Sequence, residues 1–308
     1  MLLDILLFII AFPIIIYSSD FFTENAVKLA RSLGVSQFLV GITVIGIGTS
    51  LPEIVVTDYA SYSGISGIVI GNVVGSNITN IALVLGLSFF MRNTVISDDH
   101  MFKESIIHLL VVGFGILLIL TNNSISRLEG VILTGVYILY IVYSIKSHKK
   151  PNKSKNNNDF NIKIIFYTLT GLVGVLIGSK LLVDSAVVLA DHLGISSAVI
   201  GLTVIALGTS LPELAVSISA ARRGFTMLIL GNVIGSNITN IVLAMGTASM
   251  IREVLVEDAF LFRFNLAYML LLSLILILVV RKKEISRLWG ALYLLMYVFF
   301  IYSIYTIG

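Results

Sequence analysis

The chain has 308 residues, 57% of them hydrophobic and only 12% charged, with a mean hydropathy of +1.02. Water-soluble domains carry about 25% charged residues, so the composition excludes a cytosolic enzyme, a secreted module and any sizeable soluble domain. The net charge of +3 implies no nucleic-acid partner in so apolar a chain, where the placement of the basic residues matters more, and the absence of cysteine removes disulfides, thiolate metal sites and cysteine nucleophiles.

A membrane-spanning helix needs about 20 apolar residues, and ten segments qualify. In chain order they lie near 3–30, 37–62, 65–91, 104–121, 127–146, 161–190, 197–221, 225–250, 259–280 and 286–307. The first lacks a basic leader (Asp4 is its only early charge) and a small-residue cleavage site, so it reads as a retained helix rather than a signal peptide. Nothing alternates as a barrel strand would, and lipid satisfies no backbone polar group, which predicts an all-α membrane protein. Ten spans place both termini on one side. Fifteen of the 20 Lys and Arg fall on the other, among them Arg31, Arg92, Lys103, Arg222, Arg223 and Arg281. The positive-inside rule makes that side cytoplasmic and the termini extracellular, as expected of a multi-pass protein of the cell membrane. Residues 147–160, polar and basic, read as a short cytoplasmic linker between 1–146 and 161–308.

Shifted by 160 residues, the chain lies on itself without a gap. Residues 41–81 and 201–241 share 23 of 41 positions. GTSLPE at 48–53 recurs at 208–213, and GNVVGSNITNI at 71–81 recurs as GNVIGSNITNI at 231–241. Each repeat holds five spans, an odd number, so the halves are expected to enter the membrane in opposite directions. Flanking charge agrees, since Tyr62 and Ser63 align with Arg222 and Arg223. Inverted repeats recur in secondary transporters, with the binding site at the midplane between the halves.

Glu53 and Glu213 fall mid-span, where a carboxylate costs several kcal/mol and marks a functional site. Each follows a proline, Pro52 or Pro212, that removes an N–H and displaces the carbonyl four residues back. Thr49, Ser50, Thr209 and Ser210 lie in the same broken segments. Carboxylates, hydroxyls and carbonyls without nitrogen or sulfur donors suit a hard cation such as Ca2+, which takes six to eight oxygens. In the second motif, Ser76 and Asn80 share one helix face, as do Ser236 and Asn240. Asn72 and Asn232 read either as ligands or as interhelical glue, and Gly71, Gly75, Gly231 and Gly235 as sites of close helix approach. Asp58 reads as a solvated helix end in preference to an entry-path acid. Asp20, Glu24, Lys180 and Asp184 read as helix-end or interface charges. His100, His108, His148 and His192 show no ligand spacing.

The paired GTSLPE and GNxxGSN motifs in two five-span halves resemble the sodium/calcium exchangers of the cation/calcium exchanger superfamily, above all the compact prokaryotic members. The resemblance spans the whole chain. It implies four cation sites, with carboxylates from Glu53 and Glu213 and hydroxyls from Ser50, Ser210, Ser76 and Ser236. Thr49, Thr209 and the carbonyls of Gly46 and Ala206 would add oxygens, and Asn80 and Asn240 would complete the middle. One departure stands out: some prokaryotic relatives carry Asp where this chain has Asn240. Two negative charges balance one Ca2+ or two Na+, so three-for-one exchange is a family expectation only, and potassium co-transport is disfavoured. The expected activity is Na+/Ca2+ antiport by alternating access, with the first and sixth spans as the moving pair. A proton-coupled Ca2+ antiporter and a cation channel stay open as alternatives. No enzyme is expected, because no His pair, Ser/Lys pair or aspartate dyad falls mid-span. No cofactor or obligate protein partner is implied beyond the transported ions and the lipid bilayer.

Overall fold

The computed structural model describes residues 2–96, 100–148, 161–192, 206–256 and 259–307. Twelve helices follow: α1 (Leu2–Ser32), α2 (Gln37–Thr49), α3 (Leu51–Tyr62), α4 (Ser66–Met91), α5 (His100–Asn122), α6 (Arg127–Ser147), α7 (Ile162–His192), α8 (Ala206–Thr209), α9 (Leu211–Arg223), α10 (Thr226–Ile251), α11 (Ala259–Arg281) and α12 (Arg287–Ile307). Among the described residues, eight are long and apolar enough to cross a membrane, or nine if the bent pair α2–α3 is one span. The segment expected at 197–221 is described only from residue 206, and most of the 147–160 linker lies outside the described residues.

Local chemistry explains the boundaries. Ser36 caps α2 by accepting from the Leu39 N–H, and Ser126 and Glu129 form a reciprocal capping box on α6. Gly64 and Gly224 end α3 and α9 with φ of +79° and +77°, a left-handed conformation that favours glycine. The helix break expected from Pro52 is present: α2 and α3 meet at 45°. Ser50 at the junction has φ −81° and ψ 5°, and Ser210, ahead of Pro212, has φ −87° and ψ 4°.

Beside the helices, the described residues hold only very short strands. Four two-residue strands, β1 (Thr94–Val95), β2 (Ser124–Ile125), β3 (Val254–Leu255) and β4 (Glu284–Ile285), pair antiparallel as β1–β4 and β2–β3. Adding 160 to Thr94↔Ile285 reproduces Val254↔Ile125, so the two pairings exchange under the repeat shift.

The helical contacts obey the same exchange. Gly130 of α6 meets the Gly246 carbonyl of α10, and Gly290 of α12 meets the Gly86 carbonyl of α4. Each half therefore lodges its last helix against the third long helix of the other, and the halves interlock. Helices α4 and α10 form the centre, 83% and 89% buried along their apolar stretches, against 22–28% for α1, α6, α7 and α12. Gly171, Gly174 and Gly178 of α7 lie on Phe22, Ser18 and Ile15 of α1, which makes α1 and α7 an antiparallel pair at the edge. Leu3, Ile9, Leu110, Leu139 and Leu295 are among many large apolar side chains left exposed, a surface suited to lipid rather than water.

Candidate cation site

The two motif pairs converge at the centre. Glu53 stands in the first turn of α3 and Glu213 in the first turn of α9, both wholly buried. Each carboxylate accepts a hydroxyl from the opposite half: Ser50 Oγ donates to Glu213 Oε1 at 3.0 Å, and Ser210 Oγ to Glu53 Oε1 at 3.4 Å. Ser236 Oγ lies 3.2 Å from Glu213 Oε1 and 3.3 Å from the Gly46 carbonyl. Ser76 Oγ is 3.5 Å from Thr209 Oγ1.

Asn72 and Asn232 resolve as struts. Asn232 Nδ2 donates to the Glu213 carbonyl at 3.2 Å and to Ser217 Oγ at 2.9 Å, while its Oδ1 accepts from Thr49 at 3.3 Å. Asn72 repeats the arrangement with the Glu53 carbonyl and Thr209 Oγ1, each at 3.3 Å. The amides are used up in holding each broken helix against the other motif.

Several of the buried atoms that have no hydrogen-bond partner among the described residues gather at this centre: Glu53 Oε2, Glu213 Oε2, Asn80 Oδ1, Asn77 Oδ1, both amide atoms of Asn240 and, beside them, Nδ1 of His108 on α5. Buried polar atoms are nearly always bonded, and most of these are acceptors. Of the three buried carboxylates among the described residues, Glu104 pairs with His148 at 2.8 Å, while no Lys or Arg is buried to serve Glu53 or Glu213. A proline kink with an acid held by a buried base does not account for this arrangement among the described residues, and the unpartnered oxygens are of the kind a hard cation takes.

The sequence-derived candidates thus largely come together: Thr49, Ser50, Glu53, Ser76, Asn80, Ser210, Glu213, Ser236 and Asn240 are all buried here, with Thr209 beside them and the Gly46 carbonyl against Ser236. Ala206 opens α8, and its side chain lies outside the described residues. Close helix approach holds for Gly231 and Gly235, which abut Gly41 and Ile42 of α2. The repeat-equivalent positions that Gly71 and Gly75 would be compared against, residues 201 and 202, lie outside the described residues.

Sequence reasoning missed three features. Helices α2, α4 and α10 each contain a π-helical turn, at Gly41–Ile45, Asn80–Leu85 and Thr239–Ala244. Such bulges concentrate at functional sites, and two of them hold Asn80 and Asn240. His108 of α5 is wholly buried, 3.4 Å from Asn237 Nδ2. His148, near the linker, contacts Glu104, Phe38 and His100. For His108 the available signal was a lone histidine inside the apolar run of α5; His148, between Ser147 and Lys149, offered none. Asp58 accepts from Thr247 at 2.8 Å, Asp20 joins Ser219 and Arg223, and Lys180 and Asp184 pair on the α7 surface.

The family model for the sodium/calcium exchanger protein matches residues 3–146 and again 163–306. The chain belongs to the sodium/calcium exchanger family. It is 39% identical over 300 residues to the uncharacterized membrane protein MJ0091 of Methanocaldococcus jannaschii, covering 96% of each chain. It is 33% identical over 348 residues to the sodium/calcium exchanger MaX1 of Methanosarcina acetivorans, covering 99% of each. Among solved structures, it superposes with a TM-score of 0.88 on the sodium-calcium exchanger NCX_Mj soaked with Na+ and Ca2+, at 38% identity over 98% of both chains. This exchanger-family chain is therefore a multi-pass membrane transporter rather than an enzyme.

Proposed function

We propose that the chain exchanges Na+ for Ca2+ across the cell membrane by alternating access to one oxygen-lined site. Glu53, Glu213, Ser50, Ser210, Thr49, Thr209, Ser76, Ser236, Asn80, Asn240 and the carbonyls of Gly46 and Ala206 are its ligands. The observation that carries the reading is the pair of buried carboxylates, each with an unpartnered Oε2 and no basic neighbour among the described residues.

Charge supplies the coupling. Two uncompensated carboxylates in a buried site cost several kcal/mol each, so the site is stable when filled by one Ca2+ or two Na+. Occupancy by one ion removes the anionic charge that would hold the other. With asparagine at both 80 and 240, a third Na+ would bring a net charge into the membrane, and two-for-one exchange is the stoichiometry the residues support.

The fold in this reading is two inverted five-span repeats, 1–146 and 161–308, with the termini outside and the 147–160 linker inside. The antiparallel α1–α7 pair is the moving element. Leu172 of α7 rests on Gly48 and Val183 on Gly208, so a slide of α7 bears directly on both broken segments.

Uptake of radioactive Ca2+ into Na+-loaded proteoliposomes tests the proposal. Uptake that follows the Na+ gradient and disappears in the Glu53→Gln, Glu213→Gln double variant is expected. Uptake driven by a pH gradient in place of Na+ identifies the proton-coupled antiporter, and Ca2+ flux without any counter-ion identifies a channel.

A further inference from the structure

Asn80 and Asn240 occupy equivalent positions, yet their surroundings differ. Asn237 Nδ2 lies 3.4 Å from the Asn77 carbonyl and 3.4 Å from His108 Nε2, and Asn80 Nδ2 lies 3.1 Å from Asn237 Oδ1. A backbone carbonyl only accepts, so the Asn237 nitrogen must face it. Its second hydrogen then goes to His108 Nε2, which accepts, and its oxygen faces Asn80. Asn80 must answer with its own nitrogen, and its Oδ1, buried and without a protein partner, is left free for the cation. The chain of bonds fixes which end of the Asn80 amide the ion meets.

The other half has no such chain. The counterpart of His108 is Tyr268, whose hydroxyl donates to the Met296 carbonyl at 2.7 Å. The counterpart of Asn237 is Asn77, whose Nδ2 is spent on the Val73 carbonyl at 2.8 Å. Both Asn240 amide atoms, and Asn77 Oδ1, are without partners among the described residues.

We propose that His108 is a positioning residue that acts through Asn237 to aim the Asn80 oxygen at the transported cation, making Asn80 the fixed amide ligand and Asn240 the adaptable one. The inference rests on Asn80 being a ligand, as in the function proposed above. Without the acceptor at 108, only the 3.4 Å contact to the Asn77 carbonyl holds the Asn237 amide, so Asn237 reverses in part of the population, and wherever it does Asn80 turns its oxygen toward it and presents an N–H to the cation.

Calorimetric Ca2+ binding to the purified full-length chain in detergent reads the relay, while Na+-driven uptake in proteoliposomes reads the exchange. His108→Leu is expected to weaken Ca2+ binding about tenfold, the scale of one buried hydrogen bond. His108→Gln, which keeps an acceptor near Nε2, restores the affinity to within about twofold, a rescue a purely structural role does not predict. In the Asn80→Ala background, His108→Leu has little further effect, because both act on one ligand. Unchanged Ca2+ affinity in His108→Leu, absence of rescue by His108→Gln, or effects that multiply with Asn80→Ala overturn the relay. A wild-type chain that binds Ca2+ without exchanging it overturns the exchange alone, and one that binds no Ca2+ overturns both.

Discussion

Gly41→Ala tests how tightly the site depends on helix approach outside it. A Cβ at Gly41 would sit 2.8 Å from Gly231 Cα, 2.9 Å from the Leu228 carbonyl and 3.0 Å from the Asn232 nitrogen. All three are backbone atoms of α10 and cannot rotate away. Ordinary contact begins at 3.4 Å, so α2 and α10 must separate by about 0.6 Å, the difference between 3.4 and 2.8. Overpacking of this kind costs about 1–3 kcal/mol. The movement also reaches the ligands, because the Thr49–Asn232 and Ser236–Gly46 bonds bridge the same two helices at 3.3 Å. Lengthened by about 0.6 Å they pass beyond useful hydrogen-bond range, at roughly 1 kcal/mol each. The sum is about 3–5 kcal/mol, shared between fold and cation binding. Thermal melting of the purified chain and Ca2+ uptake in proteoliposomes measure the two parts. Gly113→Ala is the control, since a Cβ there meets nothing within 4 Å among the described residues. A Gly41→Ala variant that melts and transports like wild type, and like Gly113→Ala, would falsify the close-approach reasoning.

Four further outcomes are expected. Glu53→Gln or Glu213→Gln alone lowers Ca2+ uptake by about 100-fold or more, because half of the buried anionic charge is lost; retained uptake at saturating Ca2+ counts against the two-carboxylate site. Asn240→Asp adds a third carboxylate and steepens the Na+ dependence of Ca2+ release, read from the Hill slope; an unchanged slope refutes the charge-balance account of stoichiometry. Asn232→Leu removes the side-chain donor to the Glu213 carbonyl and Ser217, while Thr49 keeps its 2.9 Å bond to the Ile45 carbonyl, and lowers stability by about 1–3 kcal/mol, visible as a fall in melting temperature. His148→Ala removes the 2.8 Å partner of the buried Glu104 carboxyl, leaving it only Tyr140 at 3.4 Å, and destabilises by about 1–3 kcal/mol, whereas replacing both residues with leucine recovers part of the loss. Equal melting temperatures for His148→Ala and the double replacement refute a cost from the unpaired carboxyl.

Much of this was legible in the sequence because its signals are local or periodic. A 26-residue apolar stretch such as 66–91 becomes a helix in lipid whatever it packs against. Pro52 and Pro212 break their segments by removing an N–H, a covalent fact independent of neighbours. Glu53 and Glu213 stood out because an ionisable group among apolar residues needs a compensating partner. The π-turns at Asn80 and Thr239 were not legible, since one residue of slippage in a helix register leaves hydropathy unchanged. Nor were the two-residue strands, whose β-pairing is set by where helix ends meet.

Sequence alone settled that the chain lives in a membrane, that it is a duplicated unit, and that two acids 160 residues apart matter. It left Asn72 and Asn232 undecided between ligand and strut, and it treated His108 as bland. Tertiary structure decided these points, because a hydrogen bond depends on which atom lies opposite, and the partners come from the other half of the chain. Ser50 serves Glu213 and Ser210 serves Glu53. The repeat makes such crossed pairs available, but only packing assigns each amide a partner or leaves it free for an ion.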